Sequence, residues 1–272
     1  MRLLVANANT TEAITALCAA AAREAASPGT EIIPATPRFG PAVIATRAEN
    51  IIAGHALLEL LAVHAGQVDG VLLAVSHDTA LEAARQMMPC PVVAMTEAAC
   101  FAACLAGGRF GLITFGSTET YRERIAQHGL AARLAGLASV DATPQEAVRD
   151  PEGVARKLQA GLAELVGMGA DAVVLGGAAL AGMAPKLQPD SPVPLLDGIA
   201  CGCGCWRCWS AFACRSRARA ASPRRGDVRP AGWLRHWRRC CEGKAALLQS
   251  IFAPEACTTS AQRRISSVMK RW

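Results

Sequence analysis

Residues 68–99 read VDGVLLAVSHDTALEAARQMMPCPVVAMTEAA, and this stretch decides the fold. VDGVLLAV, residues 68–75, is apolar at nearly every position instead of alternating, the pattern of a parallel strand covered on both faces. The polar turn Ser76-His77-Asp78-Thr79 ends it. Residues 79–87 have helical spacing, the prolines at 89 and 91 interrupt it, and PVVAM at 91–95 forms a second short apolar strand before a helix over 97–106. Two strands joined through a helix in this way make a βαβ unit with a right-handed crossover.

The same alternation extends in both directions. RLLVA at 2–6 is a strand that stops at Asn7-Ala8-Asn9-Thr10, followed by a helix over about 12–26 that Thr10 or Thr11 can cap. Pro28-Gly29 closes that helix, TEIIPAT is the next strand, and a helix runs over about 48–65. Downstream come FGLITFG at 110–116, a helix over 118–128, a turn at Gly129, a helix over 152–168, ADAVVLGG at 170–177 and PVPLLDG at 192–198. This order predicts an α/β fold with a mainly parallel sheet. In such sheets ligands bind beyond the carboxyl ends of strands, which selects four loops.

The first loop offers Asn7, Asn9, Thr10 and Thr11, whose amides and hydroxyls suit a carboxylate or imide oxygen; helix capping alone would occupy one or two of them. The second holds Ser76, His77, Asp78 and Thr79. His77 is a candidate base and Ser76 a candidate pocket hydroxyl, while Asp78 or Thr79 can also serve as a plain helix cap. Consecutive side chains do not stack into a Ser-His-Asp relay. Thr114 ends the third strand-loop junction, and Gly176-Gly177-Ala178 in the fourth lets backbone approach a ligand closely, unless it only makes a tight turn. Neither a Gly-x-Gly-x-x-Gly nor a phosphate-loop motif occurs, so no nucleotide cofactor is indicated.

From Cys201 the composition changes. The last 72 residues hold all five tryptophans, eight of the twelve cysteines, and 15 Lys/Arg against 3 Asp/Glu, so the net charge of +6 describes neither part of the chain. Cys201, Cys203, Cys205 and Cys208 are soft metal ligands in kind, but they lack the paired knuckles of a structural zinc site. The arginines could neutralise phosphates, yet a GC-rich gene read one base out of frame would write this same mixture of Arg, Cys, Trp, Pro and Ser. We therefore expect residues 1–200 to form the folded region. Residues 201–272 are expected to be a poorly ordered basic or frameshifted tail, with low order over about 202–242 and no nucleic-acid partner inferred from it. No apolar run reaches about 18 residues, so no membrane span is expected. Without an export signal the expected compartment is the cytoplasm, with Cys18, Cys90, Cys100 and Cys104 reduced.

LLVANANTT, the 68–99 stretch, GGRFGLITFG, YRERIAQHGLAARLAG, ADAVVLGGAALAGMAP and VPLLDGIA, in this order, resemble the aspartate/glutamate/hydantoin racemase superfamily, most of all its hydantoin and allantoin branch. The resemblance covers residues 2–200. It implies two similar α/β lobes with mainly parallel sheets and the active site in the cleft between them. It implies no cofactor, a small amino acid, carboxylate or cyclic ureide as substrate, and homo-oligomers in many members. It also implies a proton-transferring cysteine on each wall of the cleft. Those cysteines would fall at Val75, or Ser76 with a one-residue shift, and at Gly177, and neither thiol is present. The resemblance further implies that the chain after VPLLDGIA should close the first lobe as a helix, which the tail composition leaves missing. The expected site is then Ser76 and His77 as reacting groups, with Asn9, Thr10, Asp78, Thr79, Thr114, Gly177 and Ala178 around the substrate. A silent binder of small carboxylates or a decarboxylase-like member is the competing expectation.

Overall fold

Eight strands and nine helices alternate through residues 1–211, the part of the chain that the computed structural model describes. The first half runs β1 (Arg2–Ala6), α1 (Glu12–Ala25), β2 (Glu31–Ala35), α2 (Arg47–His64), β3 (Gly70–Leu73), α3 (Leu81–Met87), β4 (Val92–Ala94) and α4 (Met95–Ala106). The second runs β5 (Phe110–Phe115), α5 (Glu119–Gln127), β6 (Leu134–Val140), α6 (Pro144–Arg149), α7 (Pro151–Gly167), β7 (Ala172–Gly176), α8 (Ala184–Leu187), β8 (Leu195–Asp197) and α9 (Gly198–Ala211).

Among the described residues the strands form two four-stranded sheets, ordered β2-β1-β3-β4 and β6-β5-β7-β8, with parallel pairing throughout. The expected two-lobed α/β fold is therefore present. Each sheet reverses its order of growth once, between β1 and β3 in the first and between β5 and β7 in the second. Those are the points where neighbouring strand-end loops diverge and leave a crevice. The strands flanking them are buried except at Arg2, which is exposed, and Phe115, which is half-buried, because helices cover both faces; β3 and β7 show no exposed position.

The edge strands explain what the sequence obscured. LAGLASV at 134–140 forms β6, which alternation and β-branched content did not reveal. It lies at the margin of the second sheet and is mostly half-buried, and Gly136 is left bare so that α7 can approach: a side chain there would strike Met168 and Leu165. Pro34 sits in β2, also an edge, where a missing backbone donor costs no ladder bond. Expected element ends moved by one to three residues elsewhere, most visibly at Met95, which already belongs to α4.

The expectation of low order from residue 202 is corrected over its first turns. After β8 the chain returns to the first lobe as α9 and packs against α1, α4 and β3. Its inward face is Ile199, Gly202, Cys203 and Trp206, a three-and-four spacing with Ile199, Cys203 and Trp206 at most 5% exposed. Gly202 lets the helix lie directly on Leu72 of β3. An indole buried this way removes roughly 200 Å² from water, an upper bound of order 5 kcal/mol. The closing element of the first lobe is thus supplied by the residues whose composition looked foreign. The rest of the expected tail, residues 212–272, lies outside the described residues.

Candidate active site

Four loops converge where the two sheets face each other. They come from the carboxyl ends of β1, β3, β5 and β7, and they enclose a cavity of about 80 Å³. Its polar lining is Asn9, Ser76, His77, Thr114 and Tyr121, with the backbone of Gly177 and Ala178 opposite; Ile14, Val43, Ile44, Val75, Phe115 and Pro144 supply an apolar wall. Of the nine expected site residues, Asn9, Ser76, His77, Thr114, Gly177 and Ala178 meet at this cavity. Thr10, Asp78 and Thr79 do not line it.

Each of those three has another task. The Thr10 amide donates to the Pro41 carbonyl at 3.1 Å and the Thr11 hydroxyl to the Ala42 carbonyl at 2.8 Å, so this part of the first loop holds the segment that brings Val43 and Ile44 over the cavity. Thr11 takes the N-cap position of α1 without a side-chain capping bond. The Thr79 hydroxyl donates to Asn50 Oδ1 at 2.6 Å, tying the loop to α2. Asp78 turns away from the cavity: its carboxylate accepts from the Thr96 and Glu97 amides, at 3.1 and 2.9 Å, at the start of α4. It therefore caps a helix, but α4 rather than the one that follows it in sequence. His128 Nε2 lies 3.2 Å from the same carboxylate. Burial pushes the Asp78 carboxyl up, and the His128 hydrogen bond and charge, with the Thr96 amide, oppose that. Asp78 and Ala80 both have left-handed backbone, with φ of 49° and 55°, so the loop is held in a conformation that side chains resist.

Asn7 and Asn9 are locked by one another. The Asn9 amide donates to Asn7 Oδ1 at 3.1 Å, Asn7 Nδ2 donates to Asn9 Oδ1 at 2.9 Å and to Thr15 Oγ1 at 3.0 Å, and the Thr11 amide donates to Asn9 Oδ1 at 2.9 Å. Asn9 Oδ1 is thereby spent inside the turn, which leaves its amide nitrogen as the group to present to a ligand.

Tyr121 was not legible as a site residue. It lies in α5, is buried, and donates its hydroxyl to the Gly176 carbonyl at 3.3 Å, with the Ser76 and Thr114 hydroxyls also in hydrogen-bonding reach. Burial raises its pKa, so the phenol stays protonated. His77 packs edge-on against the Tyr121 ring, centroids 5.2 Å apart at 70°. Burial, and then the charge of Arg124, lowers the His77 pKa, which keeps the imidazole neutral and able to accept a proton. Cys18 lies behind the fourth loop, donating to the Ala178 carbonyl at 3.4 Å, and burial followed by Asp197 pushes its thiol up to about 12. It is a packed thiol.

Val75 and Gly177 both border the cavity. Gly177 has φ 162°, extended backbone open to any residue, and a Cβ there would meet Phe115 and Leu180 at 3.4–3.7 Å, ordinary contact distances. A tight turn therefore does not explain the glycine. The four early cysteines of α9 do not converge either. Cys203 faces the core while Cys208 is exposed, and no cluster of three or more His, Cys, Asp or Glu placed to hold a metal is found among the described residues.

Two parallel four-stranded lobes with a cavity at their paired switch points define a class of two-lobed α/β proteins that hold a small molecule between sheets. The chain belongs to the Asp/Glu/hydantoin racemase family, whose model matches residues 3–205. It is 29% identical over 208 residues to a hydantoin racemase of Pseudomonas sp. (strain NS671), covering 74% of this chain and 83% of that protein. It is 28% identical to a hydantoin racemase of Paenarthrobacter aurescens, with 75% and 88% covered. Among solved structures, allantoin racemase from Klebsiella pneumoniae superposes with a TM-score of 0.76 at 31% identity, covering 80% of this chain and 91% of that one. No described helix is long and apolar enough to cross a membrane.

Proposed function

We propose that the inter-lobe cavity binds a small cyclic ureide or carboxylate and exchanges the proton on its acidic Cα–H from one side only, without a cofactor. The observation that carries this is the pairing of a neutral, buried His77 with Val75 and Gly177 on the cavity walls. His77 and Tyr121 are the titratable side chains of the lining. In this reaction the imidazole takes the Cα proton while the C–H electron pair moves into the neighbouring carbonyl, giving an enolate. The Ser76 and Thr114 hydroxyls supply donors for the enolate oxygen. The imidazolium then returns a proton to the face it came from. A serine hydroxyl beside it is too weak an acceptor at neutral pH to act as the base.

One-sided exchange separates isotope incorporation from inversion. In deuterium oxide, a 5-substituted hydantoin offered as one enantiomer should gain deuterium at C5 while its optical rotation stays constant against an enzyme-free control. Concurrent loss of rotation would overturn the one-sided mechanism. Exchange at the full parental rate in His77→Ala would remove His77 from it.

A second reading rests on the missing thiols at Val75 and Gly177. A chain without either could keep the seat and lose the chemistry. Saturable binding of the same hydantoin with no exchange above background would establish that silent form.

A further inference from the structure

Among the described thiols Cys18, Cys90, Cys100 and Cys203 are buried and Cys104 and Cys201 half-buried, whereas Cys208 is exposed and has the half-buried Cys205 three residues before it on α9. In an α-helix that spacing puts the two Cα atoms about 5 Å apart, inside the window of roughly 4.4–6.8 Å over which a disulfide closes. We propose that Cys205 and Cys208 are a reactive dithiol that exchanges with small disulfides of the glutathione type and closes to an intramolecular disulfide.

The division of labour follows from burial. Cys208 is the sulfur an incoming disulfide can reach, while burial, followed by the nearby Cys208 and Glu97, holds the Cys205 thiol up and keeps it protonated until it is needed. The Cys208 thiolate attacks one sulfur of oxidised glutathione, breaking its S–S bond and releasing one glutathione thiolate. Cys205 then gives up its proton and attacks the Cys208 sulfur, which releases the second glutathione thiolate. Two electrons pass from the protein to the glutathione pair, and the two thiol protons end on the two glutathiones.

Cys201 competes from the other side of Cys205. At that four-residue spacing the α-helical Cα separation is about 6.2 Å, near the far edge of the same window, against about 5 Å for Cys205 and Cys208. Cys201 is also the more protected thiol, with burial first and then Asp197 pushing it up to about 12. The ring closed by Cys205 and Cys208 would enclose Trp206, so oxidation staples the turn that seals the first lobe.

Arg207 lies inside the proposed ring, which makes trypsin a direct reporter. The full chain is incubated with oxidised glutathione, its free thiols are alkylated, and the digest is analysed by mass spectrometry without reduction. The expected product is peptide 187–207 joined to peptide 208–215, lost on adding dithiothreitol and retained in Cys214→Ser. A Cys205→Ser chain should instead carry glutathione on Cys208. A bond confined to peptide 187–207, a link that survives Cys208→Ser, or stable glutathione on Cys208 of the parent chain would each overturn the proposal.

Discussion

Trp206 lies flat on Gly70: a Cβ added to Gly70 would overlap the indole ring at Cζ3, Cη2 and Cε3. The contact joins the start of β3, in the stretch that decides the fold, to a residue of the compositionally foreign segment. Helix α9 is therefore seated by a glycine some 136 residues earlier in the chain, and this seat is what lets an arginine- and cysteine-rich sequence act as part of the first lobe.

That seat predicts a specific non-additivity. Gly70→Ala should destabilise by about 1–3 kcal/mol through overpacking, and Trp206→Ala by about 3–5 kcal/mol through the cavity it leaves. Together they should cost less than their sum, because the smaller side chain at 206 gives the new methyl room. Urea unfolding of the four proteins measures this, and strict additivity would mean that the indole does not rest on Gly70.

Gly177→Cys should be tolerated to within about 1 kcal/mol, since its backbone is extended and its Cβ has ordinary contacts. Val75→Cys replaces one small buried apolar side chain with another. On the proposed function, the double variant should lose optical rotation of a hydantoin in step with deuterium uptake, whereas Val75→Cys alone should not. A stable double variant that neither exchanges nor racemises would argue that position 75 is not the facing wall.

His77 should impose a stability change on the acid side of neutrality. Its folded pKa is lowered from an ordinary value near 6.5, so the unfolded chain binds the proton first as pH falls. Its contribution is complete above about 6.5 and is lost as pH falls from there toward the lower folded value. His77→Gln should flatten that part of the stability profile measured by denaturant unfolding, and an unchanged slope would place the imidazole in solvent.

Two changes test the strained second loop. Asp78→Ala leaves the Thr96 and Glu97 amides without their acceptor and should cost about 2–4 kcal/mol, with Asp78→Asn less severe because its carbonyl still accepts. Ala80→Gly should stabilise by about 0.5–1 kcal/mol, as relief of the left-handed penalty exceeds the entropy glycine adds to the unfolded chain. Thermal midpoints report both, and a destabilised Ala80→Gly protein would show that the loop is not strained there.

The strands β1, β3, β5 and β7, the helices between them apart from α6, and the two-lobed α/β class were legible in the sequence, because strands covered on both faces must be apolar throughout. The same order selected the four loops that meet at the cavity, since strand ends in parallel sheets have a fixed polarity. Asn9, Ser76, His77, Thr114, Gly177 and Ala178 followed from that rule. What local sequence does not carry is the direction in which a loop side chain points. Asp78 directly follows His77, which lines the cavity, yet turns to cap α4, and Tyr121 enters the cavity from a helix that reads as polar. Mean composition also misjudged the segment after Cys201, because four inward positions decide whether a helix docks while the outward ones set the average. Periodicity and turn chemistry are properties of neighbours along the chain, so the sequence by itself determined the elements and their order. The Trp206–Gly70 seat, the Asp78–His128 bridge and the cavity depend on atoms brought together from distant positions, so only the tertiary structure decided them.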